Sequence, residues 1–286
     1  MDNSDILEVY KSIEGRLFHW VDNVFSEFGK LQNATSLYYY TDMNALINGI
    51  IVPNPEVGKE ICLWATKWSH LNDKEEVIAG LRQLKNILPD NVVGLFQQLT
   101  SNNHSISLSL EQDFLPMWSM YGRNGGGVML EFDVKGLLDI YGEKLMPCIY
   151  EHSLYSEEVL QKLRSMEYGD DFVSLSDKQK GLATAIIGQM FLGVFKNSSF
   201  KYEREVRIVA IGNSHGYENE IREDKYRVRE GVLTPYLEEY IPKSCLKAIW
   251  LGPTVDKKLS HETLQAFLNS RNVKVDVKCS KIPYRG

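Results

Sequence analysis

Two glutamates and an arginine at alternate positions, Glu203, Glu205 and Arg207, are the residues whose types and spacing most directly suggest chemistry. They lie in FKYEREVRIVAI (200–211), which reads as a strand. With a period of two, Lys201, Glu203, Glu205, Arg207 and Val209 share one face, and Phe200, Tyr202, Arg204, Val206 and Ile208 the other. Residues two apart on a strand are roughly 6–7 Å apart. The two carboxylates could therefore flank one reacting centre, or one could act while the other holds a substrate group. The competing reading is an edge strand whose solvated charged face pairs with itself, Arg207 answering Glu205 at little energetic gain. A glycosidase with Glu203 and Glu205 as acid and base fits less well, because same-face neighbours on one strand seldom sit on opposite sides of a glycosidic bond.

Other residues could serve such a centre. Ser107 and Ser109 share one face of a short strand, where paired hydroxyls can orient a carboxylate or merely satisfy local backbone groups. In the run Tyr38, Tyr39, Tyr40 and Thr41, alternate residues share a face. One face suits a core, and the other could line a pocket with phenols able to stack on a ring and hydrogen-bond a ribose. Trp64, Trp68, Trp118 and Tyr121 add flat apolar surface, which is also what core packing uses. The glycine-rich GRNGGG (122–127) enters a strand rather than a helix, so it reads as a hairpin turn and not a phosphate loop.

The elements that must position these residues follow from periodicity. Apolar residues at helical spacing over 4–28 predict one or two amphipathic N-terminal helices. Strands are predicted at 37–41, 61–65, 105–109, 128–132, 200–211, 226–233, 246–251 and 273–279. Helical segments are predicted at 43–50, from the capping residues Asn72 and Asp73 to Pro89, at 156–166, 176–195 and 257–270. A polar loop spans 213–223. Short scattered strands among helices predict an α+β fold with a mixed or antiparallel sheet rather than regular βαβ winding.

Composition narrows the classes. A chain of 286 residues that is 43% hydrophobic can bury a sizeable core. Its net charge of −6 argues against coating nucleic acid by bulk electrostatics, although a local basic cleft would survive that average. No apolar run is long enough to cross a bilayer and the MDNSDILE start is acidic, so the expected location is the cytoplasm, away from membranes. Cys62, Cys148, Cys245 and Cys279 are far apart, and no histidine pair has zinc-helix spacing, so no metal site is expected.

Four blocks in order carry a resemblance: LYYYTDMNALINGI (37–50), LWATKWSHLNDKEE (63–76), SLSLEQDFLPMWSMYGRNGGGVMLEF (107–132) and FKYEREVRIVAI (200–211). With the tail RVREGVLTPYLEEYIPKSCLKAIWLGP (227–253), they resemble the bacterial family called domain of unknown function 2971 (DUF2971), whose name supplies no activity. A weaker resemblance is to the ADP-ribosyltransferase superfamily. It implies a split, strongly bent mixed or antiparallel sheet flanked by helices at 37–286, preceded by an N-terminal helical extension at 1–36. It also implies NAD as a substrate. Glu205 would then hydrogen-bond the nicotinamide ribose and stabilise the oxocarbenium-like centre, with Glu203 toward the acceptor. Ser107 and Ser109 would position Glu205 and contact ribose. Thr41 and the backbone near Tyr40 would hold the nicotinamide amide, with Tyr121 or Trp118 as a stacking face. Tyr39 stands where the superfamily carries His or Arg, so the positive charge for the phosphates would have to come from Arg123, Arg207 or Arg229. The implied activity is mono-ADP-ribosylation of a macromolecular acceptor, protein or nucleic acid, by a toxin or anti-phage effector with a possible antitoxin or regulatory partner. The alternatives are NAD hydrolysis, or a non-catalytic module that binds a nucleotide, ADP-ribose or a partner.

Overall fold

The computed structural model describes residues 31, 33–71, 80, 102–151, 192–211, 222–229 and 231–284. The helices expected at 4–28, 156–166 and nearly all of 72–88 and 176–195, and most of the loop at 213–223, lie outside the described residues. Leu31, near the end of the expected N-terminal extension, is buried in the main core.

The architecture is α/β, built on a large mixed, mostly antiparallel sheet. Its strands are β1 (Ser36–Thr41), β2 (Ile61–Lys67), β3 (Asn103–Ser109), β4 (Val128–Asp133), β5 (Leu145–Pro147), β8 (Glu205–Ile211), β9 (Lys225–Arg229), β10 (Val232–Ile241), β11 (Leu246–Leu251) and β12 (Asp276–Cys279). The main path runs β12-β11-β4-β1-β3-β2-β10-β9, and β8 joins β3 to β5. Within this sheet only β11 and β12 run parallel. The small strands β6 (Ile149–Tyr150) and β7 (Phe195–Lys196) form a separate parallel pair. Helices among the described residues are few: α1 (Met43–Ala45), α2 (Leu115–Met120), α3 (Val134–Tyr141) and α4 (Lys257–Ser270).

Alternation along the strands gives two apolar layers among the described residues. Leu37, Ile106, Leu108, Leu130, Val206 and Ile208 point into the main core on one face. On the other, Tyr38 and Tyr40 pack with Met117, Trp118, Met129 and Trp250.

One feature of the pairing creates the site. β3 is zipped to β8 along its whole length, from Asn103↔Ile211 to Ser109↔Glu205. Its opposite edge is shared: β1 joins it at Tyr38↔Ser109, and β2 at Thr66↔Ser105 and Lys67↔His104. Between those registers, residues 106–108 have no strand partner except β8 among the described residues. Beyond Tyr38, β1 stays with β4 along all six of its residues, and β2 stays with β10 back to Ile61. Because each follows its own long antiparallel partner, the two strands splay apart and leave a gap over the middle of β3.

Three sequence expectations are corrected here. The GRNGGG turn is not a hairpin, because it leaves α2 and enters β4. Arg123, Asn124 and Gly125 all have positive φ (50°, 52° and 84°), a left-handed path that reverses the chain after a helix. The segment 226–233 is two strands, turned at Gly231 (φ 80°), and β10 continues to Ile241. The strand expected at 273–279 begins at Asp276.

Candidate functional site

The largest correction concerns the glutamates. Ser198–Glu203 is a tight 3-10 turn, Arg204 is left-handed (φ 41°), and β8 starts only at Glu205. The chain is cornered by the end of β3: the Ser109 hydroxyl donates to the Glu203 carbonyl at 2.6 Å, and the Leu110 amide donates to the Arg204 carbonyl at 3.1 Å. Glu203 and Glu205 are therefore not same-face neighbours on one strand.

A third residue brings their side chains together. Lys196 Nζ, from β7, donates to Glu203 Oε2 at 2.6 Å and to Glu205 Oε2 at 2.5 Å. Arg207 grips Glu205 in a fork, Nε to Oε1 at 2.7 Å and Nη2 to Oε2 at 3.1 Å, while its Nη1 donates to the Gly193 carbonyl at 2.5 Å. The Tyr121 hydroxyl donates to Glu203 Oε1 at 2.8 Å. Glu203 (2% exposed), Glu205 (4%), Lys196 (4%) and Arg207 (1%) are all buried. The reading of a solvated edge is thereby overturned, since β8 lies between β3 and β5 and its charges are removed from water.

Burial and pairing act differently on the two carboxyls. Burial pushes Glu205 upward, but Arg207 and Lys196 outweigh it and hold the group far below the usual carboxylate range. For Glu203, burial wins over Lys196 and its pKa is raised. Burial likewise raises the Tyr121 phenol, with the Glu203 charge adding to it. The result is a fixed anion next to a carboxyl that takes up a proton more readily than usual, a pairing of the kind found where acid–base work is divided.

This cluster lines a cavity of about 580 Å³ that occupies the gap between β1 and β2, a volume suited to a nucleotide-sized ligand. Tyr39, Tyr40 and Thr41 line it from β1, and Ser107 from β3. Tyr121, Glu203, Glu205 and Arg207 also line it. Tyr40 is anchored, donating to the Glu111 carbonyl at 2.7 Å. Two expected contacts are placed elsewhere. Ser109 is buried with its hydroxyl on the Glu203 backbone rather than on the Glu205 carboxylate. Trp118 is fully buried, edge-on to Tyr40, with Nε1 donating to Asp113 Oδ1 at 2.9 Å, and is not part of the cavity wall.

Of the arginines considered as sources of charge, Arg207 is committed to Glu205 and to the Gly193 carbonyl, whereas Arg123 and Arg229 line the cavity without a carboxylate partner among the described residues. Lys196 and Arg227 also line the cavity, though nothing in their spacing singles them out. The one sequence signal for Lys196 is a lysine closing the apolar run LGVFK. Among the described residues, no three His, Cys, Asp or Glu side chains gather as a metal site would require, and no helix is long and apolar enough to cross a membrane.

The family described as Protein of unknown function (DUF2971) matches the chain over residues 117–208. The match takes in the MW-x-x-Y-G segment, the glycine-rich turn, β4, Lys196 and both glutamates, and leaves out β1, β2, β3 and the closing strands. No curated protein and no solved structure matches the chain.

Proposed function

We propose, from a cavity whose matched family carries no activity in its description, that this chain binds NAD, cleaves its nicotinamide–ribose bond and transfers ADP-ribose to a macromolecular acceptor. The observation that carries the reading is the convergence of Glu203, Glu205, Lys196, Arg207 and Tyr121 on one wall of a 580 Å³ cavity. An ADP-ribosyltransferase-like split sheet is the fold this reading calls for, and the parting of β1 and β2 over β3 supports it.

In the proposed step, the bond from ribose C1′ to the nicotinamide nitrogen breaks and nicotinamide leaves with the electron pair. Glu205, held ionised by Arg207, stabilises the positive charge developing at C1′. The acceptor's oxygen or nitrogen forms the new bond to C1′, and its proton passes to the Glu203 carboxylate, whose raised pKa makes it the better base. The Tyr39, Tyr40 and Thr41 wall and Ser107 would hold the nicotinamide ribose. On this reading the chain works in the cytoplasm as a toxin or anti-phage effector, on protein or nucleic acid, restrained by an antitoxin or regulatory partner.

The test is incubation with labelled NAD, cell lysate and separate nucleic acid, following nicotinamide release and label transfer. Glu205→Gln should lower both by about 100-fold or more. Unchanged turnover in that variant would sink the assignment, and free ADP-ribose without labelled macromolecule would make water the acceptor. One observation favours a second reading. Both Glu205 oxygens are already engaged by buried cations, as in a structural ion pair. A non-catalytic nucleotide- or partner-binding module would release no nicotinamide from folded wild-type protein yet retain affinity for its ligand.

A further inference from the structure

Among the described residues, the cation least accounted for is Arg227. It lies on β9, with its guanidinium over the Trp64 ring at 4.9 Å and the Tyr236 ring at 5.6 Å. Nη2 donates to the Thr66 hydroxyl at 2.8 Å, but Nε is buried with no hydrogen-bond partner. No carboxylate pairs with this side chain among the described residues. Burial pushes its pKa down and Arg229 adds to that, while the Tyr39 and Tyr236 phenols oppose it. A guanidinium stays charged in proteins. A half-buried guanidinium whose Nε is buried and unanswered, with no carboxylate beside it among the described residues, is costly and calls for a further partner.

The surroundings repeat the imbalance. Arg123, Lys196, Arg207, Arg227 and Arg229 line the cavity against Asp42, Glu203 and Glu205. Lys196 and Arg207 answer the glutamates, and Asp42 caps α1 by accepting from the Ala45 amide at 2.7 Å. That leaves Arg123, Arg227 and Arg229 facing the cavity in a protein of net charge −6. Arg227 and Arg229 are two apart on β9, hence on one side of the strand and roughly 6–7 Å apart along it.

The aromatic supports orient the guanidinium. Rings over its faces leave the N–H edge as the free binding surface, the geometry an arginine uses on phosphate. The Trp64 ring is itself set by Gly49, in the π-turned segment Leu46–Ile50 that continues α1, because a methyl group at Gly49 would overlap that ring. Such π-turned segments recur at functional sites.

We propose that Arg227 and Arg229 form an anion subsite for the diphosphate of a nucleoside-diphosphate ligand, where β9 borders the cavity beside Thr66 and Trp64 of β2. This rests on the reading of the cavity as a nucleotide site. Multiple uncompensated cations match a polyanion better than a single carboxylate. Two half-buried cations set in a concave cavity suit a small diphosphate better than a nucleic-acid backbone, which is met by exposed basic stripes.

The experiment is calorimetric titration of the full chain with ADP, adenosine and inorganic pyrophosphate, and a competition with single-stranded oligonucleotide. ADP should bind at least about tenfold more tightly than adenosine. Arg229→Gln, at a half-buried position, and Arg227→Lys, which keeps the charge but loses the stacked fork, should each weaken ADP about tenfold and leave adenosine unchanged. Thermal melts identify a variant that has unfolded, and Arg229→Gln carries the test if Arg227→Lys does. Equal affinity for ADP and adenosine, no loss in Arg229→Gln, no ADP binding by folded protein, or an oligonucleotide that outcompetes ADP would each overturn the subsite. Arginine-dependent ADP binding without nicotinamide release from NAD keeps the subsite and ends the transferase reading. NAD cleavage with unaltered KM in Arg229→Gln does the reverse.

Discussion

Two buried glutamate clusters stand on the same side of the sheet and differ in what they face. Glu131 on β4 accepts from the Ser36 hydroxyl at 2.9 Å, Trp250 Nε1 at 2.9 Å and Lys278 Nζ at 3.2 Å. Two of these donors are neutral, and its cations, Lys278 at 3.2 Å and Lys247 at 4.0 Å, are 40% and 36% exposed. Glu205 is bound by Arg207 and Lys196, at most 5% exposed, and it borders the cavity, as Glu131 does not. Both carboxyls are pushed below their usual range, each against an upward effect of burial. A depressed carboxyl alone therefore does not mark a site. Buried counter-ions beside an open volume distinguish the second cluster.

The largest effect expected from that difference is on stability. Arg207→Ala leaves Glu205 with a much reduced counter-charge in a buried position and should lower the unfolding free energy by about 3–5 kcal/mol, read from urea denaturation. Lys278→Ala removes a half-exposed cation from a carboxylate still held by Ser36 and Trp250, and should cost about 1 kcal/mol or less. Equal losses would erase the comparison.

A smaller effect separates the glutamates by sign. Glu205 has a depressed folded pKa, so its stabilisation is present above its ordinary value of 4.5 and is lost as the pH falls from there toward the folded value. Glu203 has a raised folded pKa, so its contribution is present below 4.5 and is lost as the pH rises through the folded value. Thermal melts from pH 3 to 7 should show a flatter acid limb in Glu205→Gln. Glu203→Gln should gain stability with rising pH more steeply than wild type. The same slope change in both variants would mean that the carboxyls do not titrate in opposite directions.

Much of this was legible in the sequence, for identifiable reasons. Leu37–Thr41 is rich in aromatic residues, Ile61–Ala65 is a short apolar run and Ser105–Ser109 alternates, so the three strands around the gap were expected close to where they are. The 3-10 corner at Ser198–Glu203 was not, because FKYEREVRI alternates as well as any strand. What breaks it is the hydroxyl of Ser109, 94 residues away in sequence. Lys196 and Arg227 carry no comparable sequence signal for a related cause, since a cation is recognised as functional by its surroundings and its missing or shared partners, which are tertiary facts. Trp118 shows the opposite case: a ring three residues before Tyr121 suggested a stacking face, but it is buried edge-on against Tyr40.

The subtlest probe is the single hydroxyl of Tyr121. Its hydrogen bond to Glu203 Oε1 stabilises the charged carboxylate and so opposes the upward effect of burial. Tyr121→Phe removes that donor with little change in shape, and should cost about 1 kcal/mol in stability. It should also raise the Glu203 pKa further. If Glu203 accepts the proton of the attacking group, the acid limb of the pH–rate profile for NAD cleavage moves to higher pH in Tyr121→Phe, because more alkali is then needed to keep the base ionised. Wild-type and variant profiles of kcat/KM for nicotinamide release measure this directly. A uniformly lower profile with an unmoved limb would reduce Tyr121 to a packing group and leave Glu203, like Glu131, a buried carboxylate that holds the sheet together.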